Sequence, residues 1–194
     1  MVYNMETLLK NFSKKMLHLL NMDTHATELE YLQAYYGMQT ILYNIIVTFS
    51  ILLSSYILSC FKETFFLFLI FGILRVVAGG FHFKSMEKCI CATTLIMLGG
   101  GKYIATVNSP YFLCMALCIF SNLVFFLHVP KGSKKNPYSQ DYAYLQKKRL
   151  HIVSLFLTIT AICKKNVSPI IALSMFLTAL FLLPDLLHRF QEAE

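Results

Sequence analysis

The stretch YLQAYYGMQTILYNIIVTFSILLSSYILSCF, from Tyr31 to Phe61, contains no Asp, Glu, Lys or Arg. An α-helix needs about 20 apolar residues to cross a hydrocarbon core of about 30 Å. This segment therefore supplies a full membrane span with length to spare. A second stretch, Tyr103 to Pro130, is equally free of formal charge. The rest of the composition agrees: 57% of the 194 residues are hydrophobic and 14% are charged. An ordinary soluble domain carries roughly 25% charged residues. The mean hydropathy is +0.59, and a soluble fold of this size cannot hide that much apolar surface.

Six spans are expected, at 38–60, 64–82, 89–107, 109–130, 150–166 and 167–187. The second carries Arg75 and the third Lys102, which makes both poor lipid-facing helices. The fifth is short before Lys164 and Lys165 and is compatible with a partly re-entrant segment. Asn108-Ser109-Pro110 and Asn166-Val167-Ser168-Pro169 read as tight turns, because proline suits a helix start and disfavours helix in the residue before it. Residues 1–36 form an amphipathic N-terminal region. In it Met5, Leu8, Leu9, Phe12, Met16, Leu19 and Leu20 recur at helical spacing, with Lys10, Lys14 and Lys15 between them. That pattern fits a helix lying in the membrane interface, or a cytoplasmic helix packed on the rest of the protein. Residues 24–36 read as a further short helix with Thr24 as its N-cap. The expected fold class is therefore all-α. It is a polytopic membrane protein with about six transmembrane helices behind an N-terminal amphipathic helix. Residues 1–194 form a single integral membrane domain, with 38–187 as its bundle.

The net charge is +7. Lys131, Lys134, Lys135, Lys147, Lys148 and Arg149 crowd one connection, read as a loop over 131–149, whose only acid is Asp141. In a soluble protein such a patch points to nucleic acid. In this chain the positive-inside rule accounts for it better, and no nucleic-acid partner is expected. An inside N-terminus puts that loop inside after four spans, together with Lys84 and Lys88. The outside connections keep Lys62, Lys164 and Lys165. Both termini are expected in the cytoplasm, and the first 30 residues lack the continuous apolar core of a cleavable signal peptide.

The chemistry-bearing stretch is Arg75-Val-Val-Ala-Gly79-Gly80-Phe-His82-Phe-Lys-Ser-Met-Glu-Lys-Cys89. A reactive cysteine works as its thiolate, and a nearby histidine takes the thiol proton. Along an unbroken helix, seven residues span roughly 10.5 Å, far beyond the ~3 Å of a hydrogen bond. The chain must therefore bend for His82 and Cys89 to meet. Phe83 to Lys88 is polar enough to turn. Ser85 can N-cap the third span, which puts Cys89 in a first turn whose positive end favours a thiolate. Gly79 and Gly80 permit a loosened backbone or close approach of a substrate strand.

Each residue also has a plainer explanation. Cys89 can be an apolar packing residue, like most of the six cysteines. His82 can sit in the interface, Arg75 can be a structural counter-charge, and the glycines can serve helix packing. Cys91 is a rival nucleophile about 200° around the helix from Cys89. Cys114 and Cys118 share a helical face but lack further ligands beside them. Glu87 is a possible third member orienting His82.

At these residues the sequence resembles the accessory gene regulator B family of bacterial quorum-sensing membrane endopeptidases. The match is carried by the arginine, the Gly-Gly pair, His82 and Cys89. The small six-span layout and the basic, proline-containing segment from Val129-Pro130 to Arg149 extend it over most of the chain. Phe83-Lys84 departs from the small residue that members often carry after the histidine. The resemblance implies a cysteine protease with His82 and Cys89 as its dyad. It also implies support from Arg75 and Gly80, and a precursor peptide as partner. Members remove the C-terminal part of the precursor and pass the enzyme-linked acyl group to an internal nucleophile, closing a thiolactone or lactone ring. A homodimer is implied as well, and no cofactor. Lys131, Lys134 and Lys135 are a plausible electrostatic partner for the acidic tail of family precursors. The competing reading is a non-enzymatic membrane protein, such as a small transporter subunit or scaffold, with Arg75 and Lys102 on a solute path. A metal site on His82 and Cys89 would need at least two more ligands.

Overall fold

The computed structural model describes residues 5–20, 27–79, 86–127 and 139–192. All regular structure among them is helical. The elements are α1 (Met5–Leu19), α2 (Glu28–Ile57), α3 (Phe61–Ala78), α4 (Met86–Thr106), α5 (Tyr111–Leu127), α6 (Gln140–Cys163), a 3₁₀ turn (Lys165–Val167) and α7 (Ser168–Glu192). Three segments are long and apolar enough to cross a membrane: Glu28–Ile57, Cys89–Thr106 and Lys165–Leu183. The apolar α5 has 17 residues, about 25 Å of helix. α3 carries Lys62, Glu63 and Arg75, and α6 carries Asp141, Lys147, Lys148 and Arg149.

Contacts divide the chain into two compact units, residues 1–54 with 83–95, and residues 55–82 with 96–194. In the first unit, α1 buries Leu9, Ser13 and Leu17 along one line, while Lys10, Lys14 and Lys15 are exposed. Phe12 and Leu19, expected on the apolar face, are exposed. α2 opens on a capping box. The Glu30 carboxylate accepts from the Thr27 backbone N–H at 2.8 Å, and Thr27 Oγ1 accepts from the Glu30 N–H at 3.4 Å. Thr24 lies outside the described residues. The short helix expected over 24–36 and the first span are one continuous helix, because nothing from Glu28 onward breaks the ladder. Ile41, Ile45, Phe49 and Leu53, four apart, are 49–66% exposed. Such a stripe is stable only against lipid or a partner.

In the second unit α2 ends in a Schellman motif. Cys60 N–H donates to Ser55 O at 3.0 Å and Ser59 N–H to Tyr56 O at 3.1 Å, with Ser59 at φ 55. The central helix is α7, which packs against α3, α5 and α6. Its Ile171, Ala172, Met175, Ala179 and Leu182 bury with Leu74, Cys114, Phe125 and Leu150. Apolar burial adds little in lipid, so close packing and interhelical hydrogen bonds hold such helices together. Ser174 Oγ donates to Leu67 O at 3.2 Å, and Asn122 Nδ2 donates to Thr158 Oγ1 at 2.9 Å. Gly101 on α4 lies against Thr64 on α3, and Gly100 against Leu67 and Leu173.

α6 corrects the expected loop over 131–149. Ser139 Oγ caps its start, accepting from Tyr142 N–H at 3.3 Å, and Gln146, Leu150, Ser154 and Ala161 line its buried face. Lys147, Lys148 and Arg149 are therefore helical, and the helix starts ten residues ahead of the expected fifth span. The two predicted tight turns hold. Residues 107–110 join α4 to α5, and the 3₁₀ turn leads into α7 with Pro169 in its first turn.

Candidate functional site

The last carbonyls of a helix lack partners within it, and at the end of α3 a side chain supplies one. Arg75 Nη1 donates to Gly79 O at 2.7 Å. The guanidinium lies over two aromatic faces, 5.9 Å from the Phe71 ring centre and 5.2 Å from that of Phe181 on α7. Those rings meet edge to face with centres 5.9 Å apart. Weak hydration and planarity let a guanidinium stack and donate at once. Gly79 itself sits at φ 70, ψ −138, with its N–H on Arg75 O at 2.9 Å. That conformation is almost restricted to glycine. The chain thus leaves α3 through a backbone state that a side chain would strain, held in place by the arginine.

Cys89 is the fourth residue of α4 and partly exposed, and Cys91 is exposed. Backbone N–H groups in a helix's first turn point outward without intrahelical partners, so this end of α4 presents positive potential. Gly80, His82, Ser85, Lys131, Lys134 and Lys135 lie outside the described residues, and the Glu87 side chain does too. Among the predicted residues the structure brings together Arg75 and Gly79. The pairing of His82 with Cys89 and the role of the three lysines belong to the proposal below.

The remaining cysteines are accounted for. Cys60, Cys114 and Cys118 are buried, and Cys163 is exposed. Among the described residues no cluster of three His, Cys, Asp or Glu side chains is placed to hold a metal. Lys102, expected as an intramembrane charge, donates from Nζ to Leu58 O at 3.1 Å, beside the Schellman turn that ends α2. Sequence reading missed Phe181, because an aromatic residue in an apolar helix carries no mark of its distant cation. Close helix packing through glycine is seen at Gly100 and Gly101. A groove of about 390 Å³ opens there, lined by residues that include Ile96, Gly99, Tyr103, Leu117 and Phe176.

These features define an all-helical membrane protein with a helix that ends at a glycine, and with a cysteine, ten residues later in sequence, near the start of the next helix. The chain belongs to the accessory gene regulator B family, whose profile matches residues 5–182. It is 29% identical over 160 residues to accessory gene regulator protein B of Staphylococcus aureus strain Newman, covering 80% of this chain and 83% of that one. It is 26% identical over 137 residues to protein FsrB of Enterococcus faecalis strain ATCC 47077 / OG1RF, covering 69% of this chain. That alignment spans 57% of FsrB. No solved structure matches. Membership implies a bacterial membrane protein involved in processing quorum-sensing autoinducer peptides.

Proposed function

We propose that this chain is a membrane cysteine endopeptidase that cleaves an autoinducer precursor peptide and supports its cyclisation. The observation that carries the reading is Cys89, partly exposed in the first turn of α4, in a chain of this family. His82 takes the thiol proton and the Cys89 sulfur attacks the scissile carbonyl. The C–N bond breaks, and the C-terminal fragment leaves as an amine carrying the proton returned by His82. The N-terminal fragment stays on the enzyme as a thioester. An internal thiol or hydroxyl of the peptide then attacks that carbonyl. The ring closes, and the sulfur leaves as thiolate and recovers a proton. The thioester keeps the acyl group reactive through the second step, provided that water is excluded.

In this reading the protein is a single membrane domain with about six spans, both termini in the cytoplasm, and α1 in the lipid interface. It acts as a homodimer. Arg75, Gly79 and Gly80 are supporting residues of the site. Lys131, Lys134 and Lys135 attract the acidic tail of the precursor. The rival view of a transporter subunit or scaffold loses its main support from Arg75 and Lys102, since each donates to a helix-end carbonyl. The test is precursor cleavage by membranes carrying Cys89→Ser or His82→Ala. Each is expected to insert normally and to cleave nothing, and cleavage by either variant at the wild-type rate would sink the proposal.

A further inference from the structure

We infer that Phe181 is a positioning residue for the reaction, acting from α7 through Arg75. The inference rests on the proposed dyad and deepens it. The Arg75 guanidinium makes its 2.7 Å bond to Gly79 O while it lies over the Phe71 and Phe181 rings. Phe71 lies four residues earlier on the same helix, so it follows Arg75 wherever α3 goes. Phe181 does not, because it belongs to α7, the helix packed against α3, α5 and α6. With its centre 5.2 Å from the guanidinium carbon and 5.9 Å from the Phe71 centre, it closes the clip from outside the helix.

The consequence is geometric. Gly79, at φ 70 and ψ −138, sets the direction in which the chain leaves α3, and His82 follows three residues later in sequence. A displacement of about 1 Å at a reacting group is enough to cost about 10²-fold in rate. Anchoring the exit carbonyl to the bundle's central helix is a direct means of avoiding that displacement. Phe181 needs no contact with substrate to do this. Its π face is the working part, which explains an aromatic residue where any apolar side chain would fill the space.

Iodoacetamide tests the inference without the precursor. The full-length protein, reconstituted in lipid vesicles at pH 7, is alkylated briefly, and Cys89 modification is quantified by peptide mass spectrometry. Cys163, exposed on α6, serves as the internal reference in each sample. An isolated thiol is only a few per cent thiolate at pH 7, so loss of its base slows alkylation by roughly tenfold. Phe181→Leu is expected to lower the Cys89/Cys163 ratio by that factor, as His82→Ala does. Phe181→Tyr, which keeps the ring, retains the wild-type ratio. Arg75→Gln lowers it alone, and adding Phe181→Leu lowers it no further, because both residues act through one clip. Should Phe181→Leu not accumulate, Arg75→Gln against Phe181→Tyr carries the same contrast. A wild-type ratio in Phe181→Leu or Arg75→Gln, with a reduced ratio in His82→Ala, overturns the positioning role alone. A wild-type ratio in His82→Ala overturns the dyad, and the positioning role with it.

Discussion

Gly101 on α4 sits so close to Thr64 on α3 that a Cβ added to the glycine would overlap the threonine side chain and come within 3.0 Å of its Cα. Thr64 is fully buried and its hydroxyl donates to Cys60 Sγ at 3.5 Å. Neither backbone can retreat cheaply in a packed helix pair. Gly101→Ala is therefore expected to destabilise the protein by about 1–3 kcal/mol, read as a lower thermal midpoint in detergent. Thr64→Ala in that background should recover part of the loss by removing the hydroxyl but not the Cβ. A Gly101→Ala protein as stable as wild type would show that α3 and α4 do not pack this closely.

Lys102 and Leu58 make a second long-range pair. The ammonium donates to a carbonyl just past the end of α2, where the helix carries partial negative charge. This assigns Lys102 to the fold. Lys102→Met should lower the thermal midpoint by a few degrees and leave precursor processing near the wild-type level. Loss of processing in a protein that still folds and inserts would return Lys102 to a functional path.

Three helices long and apolar enough to cross were legible because lipid enforces a simple rule: a crossing helix must be long and largely uncharged, as in Glu28–Ile57. The start of α6 was not legible by that rule. Charge drew residues 140–149 into a loop, whereas Ser139 caps a helix there and Gln146 and Leu150 bury its inner face. A helix is free to continue beyond the membrane, and only capping and periodicity then mark its start. At the candidate site, Arg75 announced itself as an intramembrane charge, but its aromatic partner comes from α7, far along the chain. Local sequence carries no signal for such a pairing. The hinge at Gly79 was anticipated as a loosened backbone, and its positive φ gives that expectation a physical form.

Precursor recruitment turns on electrostatics that salt can test. If Lys131, Lys134 and Lys135 attract an acidic tail, replacing all three by Glu should weaken precursor binding far more than it slows maturation of a precursor tethered to the enzyme. The same defect should appear in wild type at high ionic strength, because exposed charges are screened beyond about 8–10 Å at 0.1–0.15 M salt. Equal binding by mutant and wild type at low salt would leave these lysines with a role in topology alone.

The central prediction concerns which sulfur carries the peptide. Cys89 and Cys91 are separated by about 200° around α4, so a base that serves one does not serve the other. Cys91→Ala should keep most activity. Cys89→Ser and His82→Ala should each abolish cleavage while precursor binding persists, and the double variant should be no worse than either, since dyad members act as a unit. The intermediate itself can be caught. A precursor whose internal cyclising residue is replaced by alanine has no nucleophile to release the acyl group. Its N-terminal fragment should then accumulate on the enzyme in a linkage that hydroxylamine cleaves, as expected for a thioester. Mass spectrometry of the trapped protein locates the attachment. A fragment on Cys89 identifies the nucleophile, whereas a fragment on Cys91, or robust cleavage by Cys89→Ala, ends this mechanism.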